Sequence, residues 1–310
     1  MSWILLTTAA QFVNAVVAII DKYLVTDEKA LPRPFVYAFY SCIVTGFWVV
    51  IYFLGWIPGL EKYGFPQLSN VETPTIQVVG MSILAAYTFF IALVSLYNAL
   101  KHADASDVMP VIGAVSAIST FGMSYLFLET RLAPNFIWGI VLLAIGTFLV
   151  SQVRFTSSIA LHTVHSGLFF ALHYISMKGL FQETSFDDGF FWSRICFVLF
   201  ALSLLLVPVY FDKIKQQTKN TTRKIAILVF SNKIMAGVAS FMILKATDWG
   251  DVAVVQALDG LKFVFILIIS LLIGKYIPVA AGENEHDIKT IFRKFLYVAI
   301  ICIGFIILFH

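Results

Sequence analysis

Apolar stretches recur along almost the whole chain, separated by short polar turns. A membrane-spanning helix needs about 20 predominantly apolar residues, and ten stretches approach or exceed that length. They run Trp3–Leu24, Pro34–Trp56, Thr75–Leu100, Ser106–Leu128 and Pro134–Val153, then Ser157–Leu180, Gly189–Tyr210, Ile225–Ala246, Asp251–Gly274 and Phe295–His310, the last being the shortest. Strands of a membrane barrel would be about 10 residues long and strictly alternating. Backbone groups in lipid must also find their partners within the segment. The pattern therefore predicts an all-α integral membrane protein with ten transmembrane helices.

Composition sharpens this picture. Hydrophobic residues make up 60% of the 310 and charged residues only 13%. The longest connections are Pro58–Pro74, Asp212–Lys224 and Tyr276–Thr290, so no soluble domain is expected. Pro34 and Pro134 stand where a first-turn proline is tolerated, and Trp56, Tyr63, Trp138, Trp192 and Trp249 fall near expected interfaces. Cys42, Cys196 and Cys302 all lie inside apolar runs and read as small core residues. The first span begins at Trp3 without a basic segment or a small-residue cleavage site, and it carries Gln11 and Asn14. It reads as a retained helix rather than a signal peptide.

The order of spans repeats. Shifted by 156 residues, Lys22 falls on Lys178, Leu24 on Leu180 and Phe35 on Phe191; shifted by 147, Ala99 meets Ala246, Asp104 meets Asp251 and Gly113 meets Gly260. Residues 1–155 and 156–310 would then each hold five spans. An odd number per half sets the halves in opposite orientation, as in the inverted repeats of secondary transporters.

The segment from Ala99-Leu100 through Ala103 and Ala105 to Pro110, together with Phe127-Leu128-Glu129 before Pro134, resembles the drug/metabolite transporter superfamily in its EamA-type form. The resemblance runs over nearly the whole chain, although the second half has Ala257 opposite Pro110 and Lys275 opposite Glu129. It implies a fold of two inverted five-helix EamA-like repeats around a central cavity, alternating access and no ATP hydrolysis.

Ionisable residues inside spans are the sharpest chemical signal, because each costs at least about 2.5–3.5 kcal/mol to insert. Arg194, Lys233, Asp259 and Lys262 stand well inside. Gln256, Asp259 and Lys262 follow i, i+3, i+6 spacing and share one stripe of the ninth span. Lys233 falls at similar depth on the eighth. One network of Asp259 with Lys262 and Lys233 is expected, in which a single carboxylate faces two ammonium groups. A deprotonated lysine or an anionic or zwitterionic substrate would complete the balance, and proton coupling is compatible with either. Asn14 on the first span, Tyr87 and Asn98 on the third, and His165 and His173 on the sixth are further candidates for the cavity wall. Lys22 and Lys178 occupy repeat-related helix ends and read as gate or structural residues, as does Arg194. His162 and His165 have metal-ligand spacing, but no carboxylate or cysteine is near them on that helix, so no metal and no cofactor is expected.

Nucleotide-binding, metalloprotease and nucleophile-elbow motifs are absent, as is any support for nucleic-acid binding. The cluster Lys213, Lys215, Lys219, Arg223 and Lys224 reads as a contact for lipid headgroups. These features favour a secondary transporter of a small metabolite, amino-acid-like compound or drug, not an enzyme, in the cell (inner) membrane. A membrane enzyme acting on lipid through Lys233, Asp259 and His165, and a non-transporting scaffold, are the alternatives. Outside Arg194, Lys233 and Lys262, odd-numbered connections hold 14 Lys and Arg, among them Arg33, Lys101, Arg154 and the 213–224 cluster, and even-numbered ones hold four, Lys62, Arg131, Lys178 and Lys245. The positive-inside rule then places both termini outside, whereas the family resemblance implies termini inside.

Overall fold

A computed structural model describes residues 2–28, 30–31, 33–57, 64–103, 105–128, 134–150 and 156–273, with single helical positions at Leu296, Ile300, Ile303, Gly304 and Ile307. The described residues form helices and turns, with no strand among them. Helix α1 covers Ser2–Thr26, α2 Pro34–Phe47, α3 Ile76–His102, α4 Ala105–Phe127 and α5 Pro134–Val150. Then follow α6 (Ser157–Glu183), α7 (Phe186–Leu204), α8 (Pro208–Asn220), α9 (Arg223–Trp249), α10 (Val252–Ala257) and α11 (Leu261–Ile273).

Local chemistry sets the ends. Thr75, Thr156, Ser185 and Thr222 cap α3, α6, α7 and α9 by accepting backbone N–H groups of the first turn, a role short hydroxyl side chains fill well. Asp251 does the same for α10 through the N–H groups of Ala253 and Val254. Pro34 and Pro208 open α2 and α8 from first-turn positions, where a missing N–H costs nothing.

Among the described residues five helical segments are long and apolar enough to cross a bilayer: Ser2–Thr26, Pro34–Trp56, Ile76–His102, Asp107–Phe127 and Arg223–Trp249. Such a set is what a multi-pass membrane protein requires. α6, at 27 residues, has the length but carries His162, His165 and His173. Three boundaries differ from the hydropathy pattern. α2 tightens into a 3₁₀ segment at Trp48–Trp56. The span expected over Gly189–Tyr210 ends at Leu204, and the chain turns through 98° into α8, so the connection expected at Asp212–Lys224 is largely helical. The ninth span is interrupted by a 3₁₀ turn at Leu258–Gly260 between α10 and α11. The expected tenth span, Phe295–His310, lies outside the described residues except at the single positions named above.

Packing follows a crossed pattern. α1 lies against α9 and α11, α6 against α3 and α4, and α2 against α7. Small residues permit the closest approaches. A Cβ on Gly237 of α9 would overlap the Trp48 indole, and one on Gly113 of α4 would come to 3.2 Å from Asp259 Oδ2.

Candidate functional site

A central cavity of about 130 Å³ is walled by α1, α2, α3, α4, α6, α9, α10 and α11 with the 3₁₀ turn before it. At roughly 10–15 Å³ per water position, it holds on the order of ten heavy atoms. Its wall mixes aromatic faces (Phe89, Tyr97, Phe170, Tyr174) with Asn14, Ser41, Thr45, Ser116 and Gln256, and it carries four charged groups: Asp21, Lys233, Asp259 and Lys262.

The four charges form two pairs of different construction. Lys233 Nζ of α9 lies 2.9 Å from Asp21 Oδ1 of α1, with both side chains more than nine-tenths buried. The same carboxylate oxygen accepts Asn232 Nδ2 at 2.7 Å and the hydroxyl of Tyr37. Lys233 also donates to the Tyr97 hydroxyl at 2.8 Å, which contacts Ser41 Oγ at 3.2 Å. The ammonium sits 4.1 Å above the Tyr37 ring and 5.1 Å from that of Tyr97. Such ring faces attract a desolvated cation. This cluster joins four helices. The second pair is local: Lys262 Nζ reaches Asp259 Oδ2 at 2.8 Å and Oδ1 at 3.0 Å, one turn apart on the interrupted ninth span.

The single network expected for Lys233, Asp259 and Lys262 is therefore replaced by two pairs on one cavity. Asp21, which sequence reasoning missed, supplies the second carboxylate. Gln256 accepts Ser116 Oγ at 3.3 Å, tying α10 to α4, and Asn14 lines the cavity. The other candidates stand elsewhere. Tyr87 is 45% exposed and packs on Phe169 and Phe200. Asn98 donates to the Val94 carbonyl of its own helix at 2.7 Å. His165 Nδ1 contacts Ser95 Oγ at 2.8 Å, and His173 Nδ1 the Ala85 carbonyl at 2.9 Å. The last two tie α6 to α3 outside the cavity wall. Among the described residues no group of three or more His, Cys, Asp or Glu side chains is placed to hold a metal ion.

Lys22 and Lys178 cap helices. Lys22 Nζ donates to the carbonyls of Leu100 and Ala103 at 2.7 and 2.8 Å, at the end of α3. Lys178 Nζ donates to those of Thr247, Asp248 and Gly250 at 2.8, 3.1 and 3.1 Å, at the end of α9. Terminal carbonyls lack intrahelical partners and carry partial negative charge, which a cation satisfies. Arg194 is 2% exposed, with its guanidinium between the rings of Phe190 and Phe197 at 4.7 and 4.6 Å.

At the end of the bundle where α7 begins, Asp187 and Asp188 hold the connection between α2 and α3. Asp187 Oδ2 accepts Gln67 N and Asn70 Nδ2 at 3.1 and 2.8 Å, and Asp188 Oδ1 accepts Glu72 N at 3.0 Å. Beneath them Phe65, Phe186, Phe190 and Phe241 pack ring against ring.

No protein-family model and no curated relative matches the chain. A crystal structure of a protein superposes on it with a TM-score of 0.64 at 16% identity, covering 99% of this chain and 96% of that one. It is among 27 solved chains that match, and at that identity the likeness is one of fold.

Proposed function

We propose that the protein is a secondary active transporter that moves a small organic molecule through the central cavity by alternating access. The observation that carries this reading is the placement of two ion pairs on the wall of one cavity in an otherwise apolar bundle, one buried between α1 and α9 and the other local to the interrupted ninth span. Intramembrane ionisable groups are costly and typically mark substrate or ion pathways. Charged groups on a cavity wall stand within reach of a solute, as a transport site requires.

The architecture we propose is ten spans arranged as two inverted five-helix repeats. Lys22 and Lys178 support it. Under the 147-residue shift, the two carbonyls that Lys22 holds, Leu100 and Ala103, correspond to Thr247 and Gly250, both of which Lys178 holds. The crossed packing of α1 on α9 and α11, and of α6 on α3 and α4, has the same two-fold sense. This arrangement and the Ala99–Pro110 segment are the grounds for placing the chain in the drug/metabolite transporter superfamily. The cell (inner) membrane is the proposed location, and the excess of Lys and Arg in the odd-numbered connections orients both termini outward. A reporter after His310 that is active only in the cytoplasm would reverse that orientation.

Uptake and efflux of a metabolite panel in proteoliposomes, with and without a pH gradient, tests the function. Accumulation above protein-free vesicles is expected for at least one small solute. Its absence for every solute in both directions refutes transport.

A further inference from the structure

Among the described residues, charge in the middle of the bundle does not balance. Three cations lie there, Arg194, Lys233 and Lys262, with two carboxylates, Asp21 and Asp259. Both carboxylates are taken by the lysines. Arg194 is left. Among the described residues its Nε and one terminal nitrogen reach only Ser193 Oγ, each at 3.4 Å, from the neighbouring residue. Those distances lie beyond the usual range for N–H···O bonds. Among the described residues no carboxylate lies within 4.0 Å of it. A guanidinium stays charged in proteins, and a buried charge without a counter-ion is strongly unfavourable. Two ring faces offset only part of that cost.

The cation is also close behind the cavity. Phe197, which stacks on the guanidinium, packs against Phe89 with ring centroids 5.1 Å apart, and Phe89 lines the cavity. On the α2 side, a Cβ on Gly46 would lie 2.8 Å from the Arg194 carbonyl, and the adjacent Thr45 is part of the cavity wall. In a medium of low effective dielectric, an unbalanced charge behind a wall one or two side chains thick sets the sign of the potential inside it.

We propose that the cavity selects a small aromatic organic anion whose single net negative charge balances Arg194. This deepens the transport reading and rests on it for the word substrate. The two ion pairs contribute polar contacts without net charge, and Phe89, Tyr97, Phe170 and Tyr174 provide ring faces for an apolar body. The volume accommodates a benzoate-sized species.

Binding of benzoate, benzamide and benzylamine to the purified full-length protein tests this. The three match in size and differ in charge. Benzoate is expected to bind at least about tenfold more tightly than the other two, a discrimination of the size like-charge and opposite-charge placement produces. Arg194→Gln should abolish that preference, and Arg194→Lys should weaken it, since an ammonium buried between two rings loses its proton more readily than a guanidinium. Benzylamine or benzamide binding as well as benzoate overturns the proposal, as does absence of benzoate binding at millimolar concentration. A folded Arg194→Gln protein that keeps the preference overturns the role of Arg194. The wild-type ranking does not depend on any variant folding. Uptake of the same three compounds into proteoliposomes separates the two claims. Benzoate binding without uptake keeps the anion site and leaves transport to be decided by the metabolite panel, whereas uptake of benzylamine alone supports transport and overturns the anion site.

Discussion

Asp21→Asn isolates the cross-helix ion pair with almost no change of shape. In the folded protein Asp21 Oδ1 takes hydrogen bonds from Lys233, Asn232 and Tyr37. At the 2.9 Å separation of Lys233 Nζ and Asp21 Oδ1 and an effective dielectric near 20, the Coulomb attraction lost is about 6 kcal/mol. Part is retained. Lys233 keeps the Tyr97 hydroxyl at 2.8 Å and the two tyrosine rings, and a desolvated cation–π contact is worth about 2 kcal/mol. The net cost is about 3–5 kcal/mol, in line with removal of one partner from other buried pairs. Thermal or denaturant unfolding of the detergent-solubilised protein, followed by tryptophan fluorescence, measures it. The double variant Asp21→Asn, Lys233→Met should recover most of the loss, because replacing a buried pair by apolar volume is often neutral or stabilising. Transport should remain lost in both. Asp21→Asn within about 0.5 kcal/mol of wild type, or a double variant no more stable than the single, would refute the reasoning. Asp248→Asn is the control. Its partner Lys245 lies at 3.6 Å and Asp248 is 23% exposed, so the expected cost is about 0–1 kcal/mol.

Asp259→Asn should cost less than Asp21→Asn, about 1–2 kcal/mol, since its pair with Lys262 is local to one span and more exposed. Adding Lys262→Met should restore stability but not uptake, and full uptake by that double variant would make the pair purely structural. Lys178→Met strips the carbonyls of Thr247, Asp248 and Gly250 of their cationic donor, for a loss of about 1–3 kcal/mol. Amide exchange confined to the end of α9 should rise, and unchanged exchange there would discount the cap. Gly237→Ala drives a methyl group into the Trp48 indole and should destabilise by about 1–3 kcal/mol, measurable in the same melt. Trp48→Leu in that background should recover part of the loss, and a wild-type melting curve for Gly237→Ala would contradict the close contact.

Hydropathy made most helices legible, because long apolar runs in lipid have few alternatives to helix. It failed where an apolar run turns without becoming polar. Leu202 to Val209 is almost uninterrupted in hydropathy, yet α7 stops at Leu204 and α8 starts at Pro208. The available sign was the proline, which favours the first turn of a new helix, followed by the polar spacing of Asp212, Lys213, Lys215 and Gln216. The missed carboxylate has a different cause. Asp21 and Lys22 are adjacent near the end of α1 and point about 100° apart on a helix of 3.6 residues per turn. One faces α9 and the other the end of α3. Sequence cannot decide which neighbour a terminal pair of charges will meet when the partner, Lys233, is 212 positions away. The two tyrosines of the same cluster, Tyr37 and Tyr97, were hidden for a related reason: within an apolar run a phenol reads as a ring, and only packing shows where its hydroxyl points.

The departure at Ala257 from the first half's Pro110 bears on the proposed repeat more favourably than it first suggests. A proline inside a helix removes one backbone hydrogen bond and crowds the preceding turn, and Pro110 lies inside α4 beside the cavity residues Met109 and Ile112. With no proline to force it, the second half breaks at the corresponding place, as a 3₁₀ turn over Leu258–Gly260 between α10 and α11. Asp259 sits in that turn and lines the same cavity. Irregular backbone at membrane depth is tolerated only where protein or water lines it, and paired interruptions in corresponding spans are a mark of transporter binding sites. If the halves are related as proposed, they share a weakened helix at the cavity, through Pro110 within the continuous α4 in one and through a turn that contains Gly260 in the other. On the proposed repeat, a loose sequence match can coexist with closely matched capping by Lys22 and Lys178, because capping depends on one side chain and two or three carbonyls whereas a break can be built from several residue types.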